Sequence, residues 1–202
     1  MTRKQAKNSI LTFLILLIAI NLPFLPGPNF LNGPAQLLFS AGQLLGLLGL
    51  LAVPIGLLWF LSARNKKTNL FRPVIFTIIF SAPLVSLIFL TDSLRDFSRN
   101  MAIKNGNKLI RQIEKYHKMN GHYPKNINPS IFTMPHSGII GIEPYYYRKN
   151  KDNFELFFNQ NVLLGFNFEI VTYNNKNEQK AQGELKTLYP TCDKNWKYEI
   201  FD

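Results

Sequence analysis

The chain has 202 residues, 47% of them hydrophobic, and a formal net charge of +11. Such a length fits one globular domain, but the charge is too unevenly spread for that. The same unevenness excludes the broad basic surface of a nucleic-acid-binding fold, so no nucleic-acid partner is expected. Residues 1–90 hold no Asp or Glu and seven basic groups (Arg3, Lys4, Lys7, Arg64, Lys66, Lys67, Arg72), whereas the rest holds 16 basic and 12 acidic groups.

Three apolar runs come first, at residues 10–25, 37–61 and 74–90. The first, ILTFLILLIAINLPFL, is about the minimum for a hydrocarbon core roughly 30 Å thick. None has a polar face, so none suits an amphipathic helix of a soluble protein. A backbone in lipid must bond to itself, which leaves helices as the form for such runs. The reading is a three-span α-helical membrane domain over 1–90, with the lipid bilayer as its first partner, followed by an extracytoplasmic domain over 91–202.

Basic residues flank the first run on its N-terminal side and fill the loop between the second and third, SARNKKTNLFR. The loop between the first and second, NLPFLPGPNFLNGPAQ, has no charge. Cytoplasmic loops carry Lys and Arg, so the N-terminus is expected inside and everything after residue 90 outside. The expected location is a bacterial cytoplasmic (inner) membrane, in accord with the lack of any Asn-X-Ser/Thr acceptor with X other than Pro. A basic start and apolar core also describe a signal peptide, but no A-x-A site follows the core promptly, and the run reads as an uncleaved anchor.

Within the second run Gly42 and Gly46 form a GxxxG spacing with Gly49 one turn further. Small residues so placed let two helix backbones approach closely in lipid. These three are candidate helix-packing residues, either against the first or third segment or across a dimer. Gln43 reads as glue between helices, and Pro54 and Pro83 predict kinks. The spans hold no ionisable side chain, which argues against ion-coupled transport.

Residues 91–120 predict a helix continuing the third segment. Leu94, Phe97, Met101, Leu109, Ile113 and Tyr116 form its apolar stripe. Asn105, Gly106 and Asn107 predict a bend, and Asn120-Gly121 followed by Pro124 a stop. Alternation marks strands at Phe154/Leu156/Phe158, at Phe166/Phe168/Ile170 and at Trp196/Tyr198/Ile200, with turns at 150–153, 159–161 and 174–180. Adding 145–149 and 184–189 gives about five antiparallel strands in meander order. The expected fold class is therefore membrane α-helical plus α+β, a long amphipathic helix packed on a small antiparallel sheet.

Residues 109–127, LIRQIEKYHKMNGHYPKNI, resemble the helix-to-loop passage of type IV pilins and type II secretion pseudopilins. The matching positions are Tyr116, Asn120, Gly121, Tyr123 and Pro124. The resemblance implies an exterior module for assembly, with an envelope or secretion-type protein or a second copy as partner. It does not extend to filament formation: the third segment begins NLFRPVIFT, without the processing Gly or the early Glu of pilins. The pseudopilin calcium loop is also missing, since Asp152 is the only Asp between Gly121 and Tyr189.

Chemistry-bearing residues are few. His117, His122 and His136 have no zinc-ligand spacing and no acidic pair, and read as surface or loop residues. Cys192 beside Asp193 lacks any flanking nucleophile motif, and as the single cysteine it excludes an intrachain disulfide. No catalytic, metal or cofactor residues are assigned, no cofactor is expected, and the chain is not expected to be an enzyme. Tyr145, Tyr146, Tyr147 and Trp196 are candidate partner-binding residues, with core packing as the competing reading. The expected role is binding or assembly outside the membrane. The alternative is a sensor subunit relaying ligand state through the third span to a cytoplasmic partner.

Overall fold

The computed structural model describes residues 1–163, 167–183 and 185–201. Two compact units make it up: Met1–Pro23 with Pro34–Leu94, and Phe24–Gly33 with Arg95–Asp202.

The first unit is helical. Helix α1 spans Arg3–Ile20 and opens on a capping box, in which the Gln5 N–H donates to Thr2 Oγ1 while the Thr2 N–H donates to Gln5 Oε1. It stops at Asn21, whose Nδ2 donates to the Leu17 carbonyl (2.8 Å) and to Ser86 Oγ (2.7 Å). Pro23, with no N–H, cannot continue it. The first expected span, 10–25, is corrected accordingly: the helix is 18 residues long, about 27 Å, and three of those residues are basic. Helices α2 (Asn32–Asn65) and α3 (Phe71–Val85) follow, then a π-helical turn at Ser86–Leu90 and helix α4 (Thr91–Asn120).

Two stretches of helix, Asn29–Asn65 and Phe71–Asn120, are long and apolar enough to cross a membrane. The second and third expected spans lie in these two stretches, which are compatible with a membrane location. Both prolines lie inside helices, and Pro83 is followed closely by the π turn. On α2 the buried positions are Ala35, Phe39, Gly42, Gln43, Gly46, Gly49, Gly56 and Ala63. Its exposed positions include Leu37, Leu44, Leu48, Leu51, Ile55 and Leu58. Apart from Phe39 and Gln43, small residues therefore point inward and large apolar ones outward, the reverse of a helix folded in water.

The second unit packs α4 on a five-stranded sheet made of β1 (Tyr146–Lys149), β2 (Phe154–Leu163), β3 (Asn167–Asn174), β4 (Tyr189–Pro190) and β5 (Trp196–Phe201). All pairings are antiparallel, in the order β1-β2-β3-β5-β4. The expected α+β class, strand number and direction agree with this sheet, but the meander order does not, because β4 pairs beyond β5 at the edge. The expected turn at 159–161 lies inside β2, where Asn159 and Gln160 pair with Ile170 and Glu169. Phe166 and Glu184, both assigned to strands from sequence, lie outside the described residues.

The core joins Ala102, Ile103, Leu109, Ile110 and Ile113 of α4 to Phe154, Leu156, Phe158, Val171, Tyr173 and Trp196 of the sheet. Two expectations for α4 are corrected. Phe97 of the expected stripe is exposed, and the buried face runs instead through Arg99, Ala102, Ile103 and Gly106. The expected bend at 105–107 is continuous helix. A Cβ on Gly106 would stand 3.1 Å from both Trp196 and Tyr145, so this glycine admits two rings to the helix backbone. Its neighbours hold loops: Asn105 Nδ2 donates to the Ser137 carbonyl, Trp196 Nε1 donates to Asn107 Oδ1, and Asn107 Nδ2 donates to Asp193 Oδ2.

Helix α4 ends where expected. Gly121 takes φ +73° and its N–H donates to the His117 carbonyl at 2.8 Å, the left-handed stop that glycine adopts without penalty. The segment Phe24–Gly33 also belongs to this unit. Its Gly27 N–H donates to the Gly138 carbonyl and its Leu25 carbonyl accepts from the Ile140 N–H.

Candidate functional site

The helix-facing side of the sheet holds a buried polar cluster that sequence reading missed. Strand pairing turns Glu169 toward α4 in line with Val171 and Tyr173, and Gln160 in line with Phe158. The Glu169 side chain is wholly buried. Arg99 donates to it through Nε and through Nη2 (2.8 Å), and Gln160 Nε2 donates to Glu169 Oε1 at 3.1 Å. Ser98 Oγ donates to Gln160 Oε1, Asp96 Oδ1 accepts from Arg99 Nη1, and the Arg99 guanidinium lies 3.8 Å from the Tyr198 ring centroid. Burial opposes the charge on Arg99, but the hydrogen bond and charge of Glu169 more than offset it and hold its pKa above the usual value. Every main member is engaged, so the cluster registers helix on sheet and leaves no group free for a ligand. Its sequence signal was Arg95 and Arg99 one turn apart, with Glu169 in the register of Val171 and Tyr173.

The opposite side of the sheet carries a groove. Arg148, Glu155, Phe157, Ile170, Thr172, Lys197 and Glu199 form its floor, and Glu178, Gln179, Lys180, Gln182 and Leu188 supply a wall. The enclosed volume is about 330 Å³, the low end for small-molecule sites. Strand alternation places these side chains together, since each stands one position from a core residue. Gln179 Nε2 ties the wall to the sheet by donating to the carbonyls of Thr172 (3.3 Å) and Asn195 (2.6 Å). Glu199 Oε2 accepts from the backbone N–H groups of Gln182 (2.6 Å) and Gly183 (2.9 Å). At the other end Tyr146 stacks on Phe157, with centroids 5.3 Å apart, and Arg148 lies over the same Phe157 ring.

The four aromatic residues singled out from sequence separate into two groups. Trp196 is fully buried in the core, and Tyr145 is 4% exposed with its hydroxyl donating to the Ala102 carbonyl at 2.6 Å. Tyr147 points to the same side and donates to the Pro124 carbonyl. Tyr146 is the exposed one, at 41%, and belongs to the groove side of the sheet. Burial pushes the Tyr145 phenol far up and that of Tyr147 up to about 12.

The candidate packing glycines all face neighbouring helices. A Cβ on Gly42 would meet Ile20, one on Gly46 the Pro83 carbonyl and one on Gly49 the Phe80 carbonyl, at 2.6, 3.1 and 2.8 Å. The three histidines do not gather: His117 stacks on Tyr123, and His122 lies edge-on to Tyr116. Among the described residues no group of three His, Cys, Asp or Glu side chains could hold a metal. Cys192 is exposed and free, and Asp193 is engaged with Asn107 and Asn195 as part of a turn. No family model, curated protein or solved structure matches the chain.

Proposed function

We propose that this is an integral membrane protein that presents an extracytoplasmic helix-plus-sheet module for binding or assembly, on a bacterial cytoplasmic membrane with its N-terminus inside. The observation that carries the reading is the reversed polarity of α2, small residues inward and leucines outward. That arrangement would aggregate in water and is natural in hydrocarbon. Orientation rests on the basic loops, on α1 crossing the bilayer as the first of three spans, and on one further fact. The uncharged segment Phe24–Gly33 belongs to the same compact unit as Arg95–Asp202, and both are read as lying outside.

The binding role draws support from the groove on the sheet's outer face, and the reading uses no catalytic step. The resemblance at Tyr116, Asn120, Gly121, Tyr123 and Pro124 adds an assembly role with an envelope or secretion-type protein or a second copy, without filament formation. A reporter active only outside the cytoplasm, fused after Asp202, should be active, and one that works only inside should stay silent. The opposite pattern overturns the proposal. Copurification in mild detergent should recover a partner or a homo-oligomer, and repeated recovery of a lone monomer counts against assembly.

A second reading, a sensor subunit, is favoured by the continuous helix over Phe71–Asn120, which begins in the apolar segment and ends in the module. It requires a cytoplasmic partner. Crosslinking from Lys66 or Lys67 in whole cells should capture one, and an empty result removes this reading.

A further inference from the structure

The groove has a direction in its electrostatics that the list of its charges conceals. Its lining contains both signs: the acids on its floor, Glu155 and Glu199, are already engaged, and Glu178 of the wall is exposed to solvent. Glu199 accepts two backbone N–H groups through Oε2, and Glu155 lies 3.7 Å from Arg148 and accepts from Asn174 Nδ2 at 3.4 Å. Lys197 and Lys180 have no ion pair or hydrogen bond from their ammonium groups among the described residues. Lys197 is half-buried in the middle of the floor, paired across strands with Thr172. A lysine without a counter-charge on the floor of a concave site is open to a charge-assisted hydrogen bond, so the unfilled position on the floor is for an anion. Beside it lie the apolar surfaces of Phe157, Ile170 and Leu188.

We propose that the groove binds a small organic anion, a carboxylate or phosphate on an aromatic or aliphatic body. The anion pairs with Lys197 and Lys180 while the body lies against Phe157 and Ile170. The volume of about 330 Å³ admits a body of roughly one phenyl ring with its charged group, at the small end of ligand sites. This inference rests on the reading of the second unit as a binding module and names the class of ligand it takes.

The test uses the full chain in a non-ionic detergent, with benzoate, phenyl phosphate and the uncharged benzamide as probes followed by ligand-observed NMR. Benzamide controls for partition into micelles. Saturable binding of benzoate or phenyl phosphate, with benzamide much weaker, supports the inference, and the stronger of the two anions decides between carboxylate and phosphate. Lys197→Ala should weaken the preferred anion about tenfold, the loss of one charge-assisted hydrogen bond. Thr172→Trp, which fills the floor, should abolish binding, and Lys118→Ala on α4 should leave it unchanged. Equal binding of benzoate and benzamide, no saturable binding, or undiminished binding by the Lys197→Ala variant overturns the inference. These outcomes are separable from the reporter fusion, because an active exterior reporter with no anion binding removes the ligand and leaves the membrane module standing.

Discussion

Arg99 and Glu169 are buried together, so each depends on the other's charge more than the members of any exposed pair do. Glu169→Ala leaves a guanidinium buried without its counter-charge, and the expected loss is about 3–5 kcal/mol, measured by urea denaturation followed through Trp fluorescence. Replacing both residues by Met removes the charge with the counter-charge and should recover most of that loss; a double variant as unstable as Glu169→Ala would show that the pair does not act as a unit. Gly106 gives a second residue-scale prediction. Val at this position drives its branches into Trp196 and Tyr145, which already stand 3.1 Å from a Cβ built there. The expected penalty is about 1–3 kcal/mol, although Val is the better helix former, and equal or greater stability would refute the close approach. Neither site was legible as such in the sequence. Asn-Gly-Asn carries the signature of a helix break, and only the two rings packed on the glycine explain why the helix runs through it. Glu169 looked solvent-facing because Phe168 and Ile170 are more hydrophobic than their neighbours, yet Val171 and Tyr173 set the inward register, and the charge follows them.

At the scale of elements, legibility tracked how local the cause is. Helix α4 stops at Gly121 because the local backbone requires a left-handed residue there, and Asn-Gly with Pro124 announces it. Strands β2, β3 and β5 follow from alternation within each segment. The order of β4 beyond β5 depends on a pairing between distant segments, and β4 is only two residues long, so no periodicity marks it. The first apolar run shows the same limit. Its composition continues to residue 25, but the backbone turns at Asn21 because that side chain reaches Ser86, 65 positions away. Helix α2 offers a prediction at this scale. Gly49→Leu places a side chain against the Phe80 carbonyl, 2.8 Å from a Cβ, and should lower the thermal midpoint in detergent through an overpacking penalty of about 1–3 kcal/mol. Leu51→Gly, two positions on but on the exposed face, removes no contact inside the unit and should act only through helix propensity, at about 1 kcal/mol. If the two variants reverse in rank, the inward stripe of small residues is not what packs α2.

For the whole molecule, the division of titratable groups between the two units sets their response to alkali apart. All eight tyrosines lie in the second unit, and burial raises the pKa of several of them. Tyr145 and Tyr147 lie between helix and sheet with their hydroxyls bonded to carbonyls, and Tyr123 and Tyr173 are shifted upward too. A phenol whose folded-state pKa exceeds its unfolded value of 10.0 favours the fold in its neutral form. That contribution is complete below pH 10 and is lost as pH rises through the folded value, which for Tyr147 is about 12. The first unit has no tyrosine. Raising the pH from 10 to 12 should therefore unfold the second unit with a rise in tyrosinate absorbance, while the helical circular dichroism of α1, α2 and α3 persists. Two stages are expected, sheet and α4 first. A single transition that removes all helical signal together with tyrosine ionisation would show that the units do not fold independently, and the split in charge along the chain would then describe location without describing stability.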